Sequence, residues 1–391
     1  TAWYLKASKY IQNTKIKVAF VSTNSISQGE QVGILWKELF SNYGIKIHFA
    51  HQTFNWSNEA KSNAAVHVVI IGFAQFDSTN KRIFEYENIK SNAHEKSAKN
   101  INAYLVEGDD IVIEKRRKPL CNVLNIIKGN YYAKSEGLII EEKDLDYLVK
   151  NEPNAKKWIK LLIGADEFIN NRKRYCLWLV DCPPDELRKM PLVMERVNRV
   201  REDRLKSTDK GMQNLAPIRF RETNNPDKCI VIPVVSSEKR PYIPIGFIDK
   251  NTISTNGNLI IPNGDLFLFG QLTSLMHMAW VKYTCGRLKS DYRYSKDLVY
   301  NNYPFPKNVS EKQKKAVEEK AQNVLNIRSQ FSDCSLADLY DPLSMPPNLK
   351  KAHQELDKAV DNCYGSKLFK NDKERIEFLF GLYEEYLNTQ K

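Results

Sequence analysis

Apolar and polar positions follow two different periods along the first 115 residues. Lys17-Val18-Ala19-Phe20-Val21-Ser22-Thr23 is a short apolar run ending in polar residues, as a buried parallel strand does. Ile34, Leu35 and Leu39 then fall on one face of a predicted helix over 31–41. Ile45 to His51 reads as a second strand and Ala64 to Phe73 as the strongest one; 101–106 and 111–114 read as a closing hairpin. Strands alternating with helices predict an α/β sheet.

The pattern breaks from Pro119 to Glu136, where Lys128-Gly129-Asn130 has turn chemistry and a linker is expected. Residues 137–306 are mixed, with helices predicted at 143–151, 155–163, 185–206 and 270–284. Strand-like runs lie between them at 175–181, 229–235, 242–248 and 258–269. The last segment is helical; it opens at Ser310, with Gln313 three residues on as in a capping box, and ends near Leu387. Pro342, Pro346 and Pro347 divide it, and Ile376, Leu379, Phe380, Tyr383 and Leu387 form a core stripe rather than a cofactor box.

Composition narrows the class. Of 391 residues, 42% are hydrophobic and 27% charged, ordinary for a globular protein. The net charge of +12 suits a polyanionic partner, because each neutralised phosphate releases counterions. No apolar run approaches the roughly 18 residues a bilayer requires, so no membrane partner is expected. Seven cysteines without a Cys-x-x-Cys pair read as reduced cytoplasmic thiols, with neither a disulfide frame nor a zinc site. Thr1-Ala2-Trp3-Tyr4-Leu5-Lys6 resembles the interior of a helix more than a signal peptide, which suggests a start inside a larger protein.

Three stretches carry candidate chemistry. The segment from His48 to Lys61, rich in aromatics and amides, is expected as a loop between two strands, where α/β enzymes place ligand contacts. An enzyme that modifies a base must swing it out and hold it against aromatic faces, which Phe54 and Trp56 offer; the alternative is that they cover the sheet edge. In Gly286-Arg287-Leu288-Lys289-Ser290-Asp291-Tyr292-Arg293, an extended chain would send Lys289, Asp291 and Arg293 to one face. Lys and Arg donate to guanine, and Asp accepts from cytosine N4, so Lys289 and Asp291 together suit one G·C pair. A solvated strand with internal ion pairs is the other possibility. On a helix through 194–206, Arg196 and Arg199 share one face and Arg201 and Arg204 another, as phosphate contacts or as a solvated surface. His51 and His67 lack a third ligand at usable spacing and are taken as structural, and no metal site is expected.

The runs Phe20–Val32, His48–Phe73, Arg116–Cys121, Tyr292–Pro306 and Leu339–Pro347 resemble single-chain restriction-modification DNA methyltransferases of the type IIG and IIL kinds. The resemblance covers essentially the whole chain. It implies S-adenosyl-L-methionine as cofactor, adenine N6 as the methyl acceptor and double-stranded DNA as partner. The implied fold is a partial Rossmann-like methyltransferase sheet over 1–118, a linker over 119–136, a mixed α/β target-recognition domain over 137–308, and a helical C-terminal bundle over 309–391. It also implies that Asn24, Phe54 and Trp56 flank the target-base pocket, and that specificity is set within the segment holding Lys289. The family's Asn-Pro-Pro-aromatic tetrapeptide and Gly-rich cofactor motif are absent, so no catalytic residue is expected within this chain, and it should not methylate unaided. A stand-alone specificity module working with a separate catalytic chain is the second hypothesis. An RNA methyltransferase is the third, disfavoured because RNA readers rely on stacking platforms.

Overall fold

A computed structural model describes residues 1–56, 66–86, 91–365 and 369–389. The chain divides into two compact units, each discontinuous in sequence. One comprises 1–123, 275–308 and 364–391, the other 124–274 and 309–363.

The first unit opens with α1 (Ala2–Tyr10), β1 (Val18–Thr23), α2 (Glu30–Tyr43), β2 (Lys46–Trp56), β3 (Val66–Ala74), β4 (Lys81–Tyr86) and β5 (Ala93–Ala98). These strands form one sheet in the order β1-β3-β2-β4-β5. Only β2 and β4 run parallel; the other neighbours are antiparallel. The first apolar run is therefore an antiparallel strand with alternating burial, exposing Ala19, Val21 and Thr23, and not a buried parallel strand. Helix α2 buries Val32, Leu35, Trp36 and Leu39. Tyr4 of α1 stacks on Phe73 and meets Trp36 edge-on, which ties both helices to the sheet.

The second unit contributes β6 (Ile127–Lys128), β7 (Ile139–Glu141), α3 (Glu142–Asn151), β8 (Ile159–Ile163), α4 (Ala165–Asn170) and β9 (Arg174–Leu177). It continues with α5 (Pro184–Leu187), α6 (Pro191–Leu205), α7 (Lys210–Gln213), β10 (Lys228–Pro233), β11 (Val235–Ser236), β12 (Gly246–Asp249), β13 (Thr252–Ser254), β14 (Asn258–Pro262) and α8 (Leu266–Leu272). The chain returns to the first unit for α9 (Leu275–Thr284), β15 (Gly286–Leu288) and β16 (Asp291–Arg293). Of the last helices, α10 (Glu311–Ser329), α11 (Leu336–Leu339) and α12 (Pro347–Asp361) belong to the second unit and α13 (Asp372–Thr389) to the first.

Two sheets organise the second unit: an antiparallel one ordered β12-β10-β14-β6, and a mixed one ordered β13-β8-β9-β7 in which β13 and β8 are parallel. Helix α10 starts where its capping box predicts, with Ser310 Oγ accepting from the Gln313 amide at 3.3 Å. In the first unit Trp280 of α9 packs against Phe380 and Tyr383 of α13, and Ile376 and Leu379 of the predicted stripe are fully buried.

Several local expectations are corrected. Residues 155–163 are a turn followed by a strand, because Ile159 and Leu161 pair with Leu177 and Tyr175, and sheet pairing overrides local helix pattern. The 101–114 hairpin reduces to a single bridge between Ile101 and Glu107, with Asn102 Oδ1 accepting from the Tyr104 amide at 3.0 Å inside the turn. The 185–206 helix breaks before Pro191, and the 270–284 helix before Leu275. Residues 64 and 65 of the expected third strand lie outside the described residues.

Candidate functional site

Phe54 and Trp56 lie on β2 itself and not on a loop, while residues 57–61 of that aromatic segment lie outside the described ones. The pairing with β3 jumps between His51 and Phe54, so Gln52 and Thr53 of β2 together oppose Val69 of β3. A bulge of this kind re-aims the side chains beyond it. Phe54 stacks on Tyr86 with centroids 5.1 Å apart and tilts against Trp56 at 6.3 Å. Trp56 is 43% exposed and therefore keeps free aromatic surface. His51 stacks on Phe84 at 4.1 Å and its Nδ1 meets the Tyr86 hydroxyl at 2.8 Å; burial lowers its imidazole pKa and raises that of the Tyr86 phenol. Both His51 and Tyr86 thus brace the aromatic wall in neutral form.

Asn24 opens the turn after β1. Thr23 and Phe54 both pair with Val68, so the turn comes out beside the aromatic wall, and Asn24 Nδ2 reaches Thr53 Oγ1 at 3.5 Å. Next to them is a cleft of about 260 Å³, lined by Gln52, Thr53, Tyr86, Lys282, Arg287 and Asp372 among others. Sequence reasoning missed Tyr86, whose only signal was an aromatic residue at a strand end, and missed the Lys282–Asp372 ion pair, which joins positions 90 apart.

The segment from Gly286 to Arg293 is a tight hairpin and not one continuous strand. Leu288 faces Asp291 across it, and Lys289 with Ser290 forms the turn. Lys289 and Arg293 are exposed and Asp291 is half-buried, while Tyr292 and Tyr294 face the core. The expected alternation thus holds on β16, and Lys289 instead projects from a tip where its φ is +58°. At the root, the backbone of Gly29, at φ +62°, approaches the backbone of Gly286. A Cβ added at Gly29 would lie 2.9 Å from Gly286 Cα. The Asn24 turn and the hairpin therefore meet backbone to backbone.

Helix α6 lies in the second unit and treats its four arginines differently. Its N-terminus is held by the buried Glu152 carboxylate, which accepts from the Leu192 and Val193 amides at 2.6 and 2.9 Å. Its inner stripe is Val193, Val197, Val200 and Arg204. Arg204 is 1% exposed and donates to the carbonyls of Lys134, Leu215, Ala216 and Arg219 and to Ser135 Oγ, which uses all five guanidinium hydrogens. The expectation of a phosphate contact at Arg204 is corrected on that ground. Arg196 is half-buried and donates to the carbonyls of Gly137 and Ile139, whereas Arg199 and Arg201 are exposed.

The methyl donor implied by the resemblance needs a glycine-rich turn leading into a helix. Gly29 before α2 is the nearest match, but Glu30 follows it and the space above it is filled by Gly286. These residues do not fit the donor. Among the described residues no group of three His, Cys, Asp or Glu has metal-holding geometry, and no helix is long and apolar enough to cross a membrane.

Comparison with known proteins matches successive parts of the chain to one family. The model described as "MmeI, DNA-methyltransferase domain" matches residues 1–85, "MmeI, target recognition domain" matches 107–307, and "MmeI, C-terminal domain" matches 309–390. That order defines a class in which a DNA-methyltransferase domain is followed by its own target reader. Within it, the chain belongs to the MmeI family. It is 42% identical over 389 residues to DNA methyltransferase A of Bacillus subtilis (strain 168), covering 98% of this chain and 43% of that protein. It is also similar to the type IIL restriction-modification enzyme MmeI in complex with DNA, with a TM-score of 0.87 and 47% identity, covering 99% of this chain and 52% of that one. The chain thus spans about half the length of these relatives.

Proposed function

We propose that this chain supplies the target-base pocket elements and the sequence reader of a cytoplasmic restriction-modification DNA methyltransferase that acts on adenine N6. S-adenosyl-L-methionine is the donor, held by residues this chain does not provide, and double-stranded DNA is the partner. Asn24, Phe54 and Trp56 border the extruded base; Lys289, Asp291 and Arg293 read base edges; Arg199 and Arg201 meet phosphates, with Arg196 positioned between surface and core. The domain limits expected from the sequence, at 118, 136 and 308, belong to the same proposal. The observation that supports the reading best is the Gly29–Gly286 contact, which joins the pocket turn to the root of a hairpin whose tip presents Lys289 beside the Asp291 strand.

Lys289 has only donors and ionised Asp291 only acceptors, so together they complement the two halves of a G·C pair in the major groove. Exchanging them, Lys289→Asp with Asp291→Lys, in the intact protein should redirect methylation to the site with that pair reversed. A good base contact discriminates by about 1–3 kcal/mol, enough to move the site without abolishing binding. Mapping of methylated sites reads the result; an unchanged recognition sequence would sink the assignment.

A further inference from the structure

The tip of the hairpin holds a conformation that its own sequence disfavours. Lys289 sits at φ +58°, in the left-handed region that non-glycine residues enter at a cost and keep only when their surroundings over-determine it. Arg287 holds the residue next to it in the turn. Its guanidinium lies over the Tyr292 ring, with 3.9 Å from its central carbon to the centroid. One terminal nitrogen donates to the carbonyl of Ser290 in the turn at 3.1 Å, and the other to the carbonyl of Lys282 in the last turn of α9 at 3.3 Å. Tyr292 is 3% exposed and Trp280 anchors α9 in the core, so the guanidinium ties the strained tip to a fixed helix end.

We infer that Arg287 is a positioning residue for sequence recognition: it reads no base, but fixes the direction in which Lys289 leaves the tip. The inference rests on the proposed function. It makes discrimination at one base pair depend on a residue that touches no base itself.

Arg287→Lys keeps the charge but cannot lie flat on Tyr292 and bridge two carbonyls at once. In the intact protein, rates of methylation are compared on DNA carrying each of the four base pairs at every position of the site. The preference for the correct over the wrong pair is independent of how much variant is folded, because unfolded protein methylates neither. The expected result is a roughly tenfold loss of preference, the low end of what one base contact provides, at the position moved by the 289/291 exchange and nowhere else. Unchanged preference at that position, or an equal loss at all positions, would overturn the inference. If the 289/291 exchange itself moves nothing, the proposed reader fails with it; if the exchange moves the site and Arg287→Lys does not relax it, only the role of Arg287 falls.

Discussion

The hairpin over 286–293 and helix α6 look alike in sequence, as short stretches dense in charge, and the structure uses them in opposite ways. The hairpin turns Tyr292 inward and sends Lys289 and Arg293 into solvent. Helix α6 follows its valine stripe one turn further and takes Arg204 inside with it. Solvent-facing charge is available to a partner, whereas a guanidinium that satisfies five protein acceptors has become part of the fold. The difference shows that an arginine is assigned by its phase relative to the apolar positions, not by the density of charge around it.

Arg204→Met should strain this contrast most. It leaves four carbonyls and a hydroxyl without their donor in a buried place, and each buried unsatisfied group costs about 1–3 kcal/mol. A loss of at least about 3 kcal/mol in chemical denaturation is expected, with DNA affinity of the remaining folded protein unchanged. Wild-type stability with weakened DNA binding would instead restore Arg204 as a phosphate contact.

Phe54→Ala and Trp56→Ala should act on turnover rather than fold. Stacking of a base on an aromatic side chain is worth about 1–3 kcal/mol, so methylation by the intact protein should slow roughly ten- to hundredfold in at least one of them. Wild-type rates in both would make the wall a cover for the sheet. Arg199→Ala with Arg201→Ala should weaken binding to every sequence alike and lower the salt slope by about 2, because each phosphate left without its arginine lowers it by about 1. A slope equal to wild type would leave α6 merely solvated.

The smallest expected effect separates two histidines. His353 is fully buried, stacked on Tyr242 at 4.0 Å, with its Nε2 2.8 Å from the Tyr340 hydroxyl. Arg328 donates to that hydroxyl, so the tyrosine hydrogen points to Nε2 and the imidazole is neutral. Burial, then the nearby Arg328 charge, holds its pKa well below 6.5. The unfolded chain binds the proton first, so stability from this group is present above pH 6.5 and is lost as pH falls below it, by about 1 kcal/mol per unit. His353→Phe should flatten the acid limb of a stability–pH curve measured by chemical denaturation; an equally steep limb would move the acid sensitivity elsewhere. His51 is only half-buried and should contribute a smaller slope.

The alternation of elements, the α10 cap and the C-terminal stripe were legible because each rests on contacts within a few residues. Val193, Val197 and Val200 already pointed to Arg204 as the next inward position, a signal that the charge density masked. The hairpin turn was hidden because Lys289-Ser290 lacks the glycine or asparagine that ordinarily marks a two-residue loop; its conformation is imposed by Arg287 from outside the turn. The β8 strand was hidden for a related reason, since its partners Leu177 and Tyr175 come later in the chain. Tyr86 and Asp372 reach the candidate cleft only through tertiary folding.

On the proposed reading, the contact between Gly29 and Gly286 separates two properties of a recognition site. A recognition site has letters and it has spelling distance: which base pairs are preferred, and how many steps separate them from the base that is changed. If the proposed reader is right, the letters lie at the hairpin tip, on side chains that can be exchanged one by one. The distance would then be set at the hairpin root, where two residues without side chains bring their backbones together and leave no room for a Cβ on Gly29. Vocabulary and metre would then be stored in separate places, the first in exchangeable side chains and the second in the absence of atoms.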